Sequence, residues 1–264
     1  MARSKRRSNP EARMRLMEHI AEFRRRLIIC AITVAVAAIA GWFLSDMVWD
    51  FLRQPVNQIA AENGRLTAIT FRDVTGSFDL KLRISIFIAI FIGSPIWLYQ
   101  IWAFFAPGLT KKEKATTIGF ISAATPLFLS GAVCGWYVLP NIVKLLTSFS
   151  SSEDALLLDA RTYLDFATRL LLSVGVGFVL PVFVVLLNFA GVLSFKTIIG
   201  SWRYAVMAIV LFAAITTPAA EVVSMFVIAI PMVLLYFTAA LIAYLVDRRR
   251  AKRSAAEFAE YEGV

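Results

Sequence analysis

The feature that most constrains this chain is a series of long apolar runs separated by short polar segments. The hydrocarbon layer of a bilayer is about 30 Å thick, so a helix needs about 20 apolar residues to cross it. The sequence predicts six such spans, at residues 27–49, 82–105, 118–143, 163–193, 201–215 and 222–246. The fifth is shorter than the usual span, which is compatible with local thinning of the bilayer.

Composition supports a membrane location. Of the 264 residues, 59% are hydrophobic and 17% are charged, whereas a soluble domain has about 25% charged residues. We therefore predict an all-α, polytopic membrane protein with six transmembrane helices. Residues 1–264 are expected to form a single integral membrane domain, with flexible tails at about 1–18 and 248–264.

The positive charges indicate the orientation. Of the 27 Lys and Arg residues, 19 lie in the N-terminal segment, in the loops after the second and fourth spans, and in the C-terminal tail. By the positive-inside rule these segments are cytoplasmic, so both termini are expected inside a plasma (inner) membrane. The net charge of +9 is thus explained by topology, and with no nucleic-acid-binding motif beside it we expect no nucleic-acid partner.

Signatures of catalysis and of metal binding are missing from the sequence. His19 and Glu22 form half of a zinc-protease motif, but the chain has no second His. Cys30 and Cys134 lie singly in apolar runs and are predicted to be packing residues. We expect no enzyme activity, no cofactor and no metal.

Two carboxylates stand among basic neighbours at the cytoplasmic side. Glu22 precedes three consecutive arginines at the first span, and Glu113 lies between Lys112 and Lys114 after the second. Either both are ordinary solvated residues, or both point into an interfacial groove and bind a cationic partner. A guanidinium would suit such a groove, because its planar fork binds a carboxylate in a way that Lys cannot reproduce.

Several other residues have mainly structural interpretations. Arg169 is expected either to extend towards the outer interface or to pair with Asp165 one turn earlier. Glu221 is predicted to cap the last span, and Gly131 and Gly135 to allow close helix packing. The six tryptophans are expected mostly in the interfacial aromatic belts.

Three segments carry a resemblance to a known family. HIAEFRRRL (residues 19–27), SPIWLYQIWAFFAPGLTKKEK (94–114) and TPAAEVVSMFVIAIPM (217–232) resemble motifs of TatC, the receptor subunit of the twin-arginine protein translocase. The match extends from about residue 15 to 250 in the family's order. One departure is Val179, which stands where the family often has Glu.

The resemblance implies that the protein binds twin-arginine signal peptides of folded proteins at the cytoplasmic face. The residues that match the family's signal-binding positions are Glu22, Glu113, Arg24, Arg26 and Phe104. Those that match structural or partner-contact positions are Pro55, placed in the first outer loop, and Glu221, in the last outer turn.

The resemblance also implies a complex with single-span TatA- and TatB-type subunits, homo-oligomers within that complex, contact with membrane lipid, and export driven by the proton gradient. An alternative from another class is a secondary transporter of a small solute. Pro95 and Pro181, inside predicted spans, favour broken helices of that kind, but the lack of charges at the membrane midplane does not.

Overall fold

The computed structural model describes residues 16–63, 67–71, 73–105, 114–148, 156–189, 191–217 and 222–262. Within these ranges the chain is almost entirely helical. The elements are, in order, α1 (Leu16–Asn63), β1 (Thr67–Thr70), α2 (Gly76–Ile92), α3 (Ser94–Phe105), α4 (Lys114–Ser148), β2 (Leu156–Asp159), α5 (Ala160–Phe189), α6 (Phe195–Gly200), α7 (Trp202–Thr216) and α8 (Val222–Glu262).

The apolar helices confirm a helical, polytopic membrane protein. By length and composition, four single helices can cross a membrane: parts of α1, α4, α5 and α8. The consecutive helices α2 and α3 meet the same test as a pair, and α7 is a shorter apolar helix of 15 residues. These elements correspond in order to the six predicted spans, so the described helices are consistent with six.

The second span is bent by 61° between α2 and α3. Pro95 explains the break, because proline lacks an N–H group and its ring crowds the carbonyl four residues earlier. Around the bend, the Ile90 carbonyl accepts a hydrogen bond from the Trp97 indole nitrogen at 2.9 Å. The bend sends α3 away from the line of α2 and sets the position of every side chain on α3.

The first helix continues well beyond its predicted end at residue 49. Asp50 and Arg53 interrupt the apolar run, but they form an ion pair of 2.6 Å on the surface of a continuing helix. Pro55 is therefore buried inside α1 and does not lie in an outer loop, which corrects the prediction. In the turn that Pro55 disturbs, the Tyr163 hydroxyl donates to the Leu52 carbonyl at 2.6 Å.

At the other end of the chain, α8 continues to Glu262 through the segment that the sequence analysis treats as a flexible tail. Its composition accounts for this, since the segment 248–262 is rich in Ala, Arg and Glu, which favour helices.

Two short strands add a feature that the all-α prediction does not contain. β1 and β2 lie in the two long connections of the outer side and pair in parallel, with Thr67 opposite Leu156 and Thr70 opposite Asp159. Each has four residues, which is too short for a clear alternating pattern in the sequence.

Helix α5 contributes most to the main hydrophobic core, which also contains buried residues of α1, α2, α4, α7 and α8. A Cβ atom at Gly131 would lie 2.8 Å from the Val174 carbonyl oxygen, so α4 and α5 approach as closely as the small-residue pattern predicts. Trp102 is a core residue and does not face lipid: it is 2% exposed and packs with Leu98 and Phe120.

One interpretation of the sequence paired Asp165 with Arg169, and the structure does not contain this pair. Asp165 instead accepts a hydrogen bond from Arg83 of α2 at 3.1 Å, and Arg169 is exposed. A partner 82 residues away in the sequence thus replaces the one a turn away.

Candidate functional site

The predicted site residues that the structure brings together lie where α1 faces α3. Glu22 and Arg26 are four residues apart on α1, so their side chains share one face of the helix. Gln100 and Phe104 have the same spacing on α3 and face them. We name Glu22, Arg26 and Gln100 the inner polar cluster.

Arg26 holds this cluster together through all three of its guanidinium nitrogens. Its Nε donates to Glu22 Oε1 at 3.1 Å, and its Nη2 donates to the same oxygen. Its Nη1 donates to Gln100 Oε1 at 3.4 Å. The guanidinium therefore connects an acidic side chain of α1 to an amide side chain of α3.

The second carboxylate oxygen of Glu22 is left without a partner. Oε2 is shielded from solvent and has no hydrogen-bond partner among the described residues, although the whole side chain is 22% exposed. A buried, unpaired oxygen of an ionised carboxylate loses its hydration without compensation. It is therefore a ready acceptor for an N–H donor that enters the cluster.

Aromatic side chains lie beside the cluster. The rings of Phe104 and Phe23 have centroids 5.4 Å apart at an interplanar angle of 59°. Phe23 is exposed and Phe104 is half-buried, so the α1–α3 contact presents apolar surface next to the charged groups.

An apolar groove of about 770 Å³ begins on the residue that follows Arg26. Its wall on α1 includes Leu27, Cys30 and Val34, and the opposite walls include Ile90 and Val176. The charged cluster and the groove are thus consecutive along α1.

The remaining predicted residues do not join this cluster. Arg24 is exposed and takes no part in its hydrogen bonds. Pro55 lies 33 residues beyond Glu22 on the same helix, which is about 50 Å at the rise of an α-helix. Glu113 and Glu221 lie outside the described residues.

Gln100 is the site residue that the sequence analysis did not assign. The signal that would have found it is a polar residue in an otherwise apolar run, one helical turn before Phe104. Polar groups inside a span usually face protein or a ligand and carry a function.

The described residues contain no group of three or more His, Cys, Asp or Glu side chains able to hold a metal ion. What the described site offers is a carboxylate oxygen without a partner, next to apolar and aromatic surface.

Comparison with known proteins gives one consistent result. Residues 18–231 match the family model for the Sec-independent protein translocase protein (TatC). A TatC of Xylanimonas cellulosilytica is 41% identical over 243 residues, covering 92% of this chain and 88% of that protein. A TatC of Rothia mucilaginosa is 36% identical, covering 95% and 86%.

Solved structures agree with the sequence matches. A crystal structure of the twin-arginine translocase receptor TatC in DDM superposes with a TM-score of 0.70 at 26% identity, covering 85% of this chain and 99% of that one. The alternative of a small-solute transporter has no support in these matches. The chain belongs to the TatC family and is a multi-pass cell-membrane protein, a core component of the Sec-independent, twin-arginine protein translocase.

Proposed function

We propose that the protein is the receptor of this translocase for twin-arginine signal peptides, and that Glu22 accepts one of the paired arginines at the cytoplasmic face. The observation that carries the proposal is the unpaired, buried Oε2 atom of Glu22. Glu113 is the proposed acceptor for the second arginine, by its match to the family's motif. Arg24, Arg26 and Phe104 complete the proposed binding surface.

A carboxylate in this position favours arginine over lysine. A charge-assisted hydrogen bond contributes about 1.5–3 kcal/mol. A guanidinium offers several N–H groups in a fixed plane and is weakly hydrated, whereas an ammonium is compact and strongly hydrated. A partly shielded carboxylate oxygen therefore binds a guanidinium more tightly than an ammonium.

The groove supports a ligand that has an apolar segment after its arginines. Its lining side chains are almost wholly apolar, and it starts one residue from Arg26 on α1. A peptide whose arginines engage the cluster can continue into this groove without exposing apolar side chains to water.

As a core component, the protein works within a complex that moves other proteins. We propose that single-span TatA- and TatB-type subunits and further copies of this chain are its partners, that the membrane's proton gradient supplies the energy, and that the protein has no catalytic activity of its own. Pro55 and Glu221 are assigned structural or partner-contact roles by their match to the family's pattern.

The test compares two synthetic signal peptides that differ only in carrying Arg-Arg or Lys-Lys. Binding is measured to the full-length protein in phospholipid nanodiscs, with Glu22→Gln, Glu113→Gln and Asp46→Asn variants. Asp46 is an exposed carboxylate on the same helix, and Asp46→Asn is the matched control.

We expect Glu22→Gln and Glu113→Gln each to weaken Arg-Arg binding about tenfold or more and to reduce the preference over Lys-Lys. Asp46→Asn is expected to leave both the affinity for the Arg-Arg peptide and the preference over Lys-Lys unchanged. An undiminished preference for Arg-Arg in the Glu22→Gln protein would refute the assignment of Glu22.

A further inference from the structure

The guanidinium of Arg26 is divided between two acceptors on different helices. An arginine that faces a carboxylate commonly forms a fork, with two N–H groups bound to the two oxygens. Here Nε and Nη2 both donate to Glu22 Oε1, while Nη1 donates to Gln100 Oε1 at 3.4 Å. The fork is not formed, and Glu22 Oε2 stays unpaired.

We propose that Gln100 is a positioning residue of the signal-peptide site. By accepting the third N–H group of Arg26, it keeps the guanidinium on one oxygen of Glu22 and leaves the other for an arginine of the ligand. This inference rests on the proposed receptor function and adds to it the residue that keeps the acceptor open.

The chemistry of an amide suits this role. Gln100 is neutral, so its carbonyl oxygen holds one N–H group of Arg26 without competing for the whole cation. An apolar side chain at this position would release Nη1 and allow Arg26 to turn onto both oxygens of Glu22. A carboxylate would attract Arg26 away from Glu22.

The placement of Gln100 depends on the bend in the second span. Gln100 is half-buried and lies on α3, beyond the 61° bend. The hydrogen bond from Trp97 to the Ile90 carbonyl crosses that bend at 2.9 Å, one turn before Gln100. The acceptor for Arg26 is thus supplied from a short helix whose direction is set by the break.

Two substitutions of similar shape have different expected effects on peptide binding. Gln100→Met keeps an unbranched side chain but removes the acceptor, and we expect it to weaken binding of the Arg-Arg peptide about tenfold. Gln100→Glu draws Arg26 away from Glu22, and we expect it to bind the same peptide at least as tightly as the original protein. Loss of a merely structural side chain would weaken binding in both variants.

A double-mutant cycle shows whether Gln100 acts through Arg26. Binding of the Arg-Arg and Lys-Lys peptides is measured to the full-length protein in nanodiscs, for Gln100→Met, Arg26→Gln and the pair combined. Thermal unfolding of each variant checks that it is folded. With Arg26 removed, no guanidinium can close the fork, so Gln100→Met is expected to change affinity less than twofold in that background.

The outcomes separate this inference from the receptor assignment. An equal tenfold loss from Gln100→Met with and without Arg26, or no loss with Arg26 present, would overturn the positioning role even if Glu22→Gln weakens binding. If instead Glu22→Gln leaves Arg-Arg binding unchanged, the receptor site itself is wrong and the role of Gln100 is lost with it.

Discussion

The two ends of the helix bundle use charged side chains in different ways. At the outer end, Asp79, Arg83, Arg161 and Asp165 form what we name the outer charge network. Arg83 donates from Nε to Asp79 Oδ2 at 2.8 Å and from Nη1 to Asp165 Oδ1 at 3.1 Å, and Arg161 lies 3.6 Å from the same oxygen of Asp79. In the inner polar cluster, one cation pairs with one carboxylate, and one carboxylate oxygen has no partner among the described residues.

The inner pair is also somewhat more buried than the outer network. Glu22 and Arg26 are 22% and 21% exposed, and Arg83, Asp79 and Asp165 are 33%, 36% and 35% exposed. No carboxylate oxygen of the outer network is among the buried, unpaired atoms of the described residues, whereas Oε2 of Glu22 is.

The contrast separates a charged network that joins helices from a cluster that we propose binds a ligand. The outer network connects α2 to α5 and, among the described residues, leaves no buried oxygen unpaired. The inner polar cluster connects α1 to α3 and retains an acceptor. A buried oxygen without a partner, more than charge, therefore distinguishes the candidate site from the outer network.

The largest effect on stability is expected from Arg83→Asp. This change places a third carboxylate beside Asp79 and Asp165 and removes the cation that joins them. Because these side chains are about a third exposed, we expect the loss of two ion pairs and the added repulsion to lower the free energy of unfolding by about 2 kcal/mol. Denaturant unfolding in detergent micelles measures it, and signal-peptide affinity of the remaining folded protein should not change.

Exchanging the charges provides the control. In the Arg83→Asp protein, Asp165→Arg restores one opposite-charge pair between α2 and α5, and about half of the lost stability should return. Unchanged stability in the single variant, or no recovery in the double variant, would show that the outer network does not hold these helices together.

Glu22→Gln should change peptide binding strongly and stability little, the reverse of what we expect for Arg83→Asp. We expect the free energy of unfolding to change by about 1 kcal/mol or less, because a Gln carbonyl oxygen still accepts from Arg26 and the pair is partly solvated. Denaturant unfolding is measured on the same preparation used for peptide binding. A loss of stability as large as that of Arg83→Asp would mean that both ends are structural, and the comparison would fail.

The spans were predictable from the sequence because crossing a bilayer requires a certain length of apolar residues whatever their neighbours. The ends of the helices were not. Hydropathy falls at Asp50 and Arg53, yet these two side chains neutralise one another on a continuing helix. Where a polar segment is still helical, hydropathy alone marks the edge of the membrane and not the end of the helix.

Two residues of the inner polar cluster were predictable from the sequence, but the third and the geometry of the cluster were not. Glu22 and Arg26 are recognisable from local sequence and from the family's motif. Their relation to Gln100 depends on how α1 and α3 meet after the bend, which no local pattern specifies. The pairing of Asp165 with Arg83, instead of with nearby Arg169, has the same cause: tertiary contacts override spacing within one helix.

The smallest effect is expected at the exposed pair of the outer end, Lys81 and Asp46. Their charged atoms are 2.8 Å apart, but Asp46 is 80% exposed. Lys81 also lies over the Trp42 ring, 5.3 Å from its centroid, so it keeps a favourable contact when its anionic partner is removed.

We therefore expect Asp46→Asn to lower the free energy of unfolding by less than about 0.5 kcal/mol, and added salt to shrink the difference further. Denaturant unfolding at low and high ionic strength measures both. A salt-insensitive loss of about 2 kcal/mol would place Asp46 in the same class as the outer charge network. Neither exposure nor the number of partners would then decide how much a carboxylate contributes to stability in this molecule.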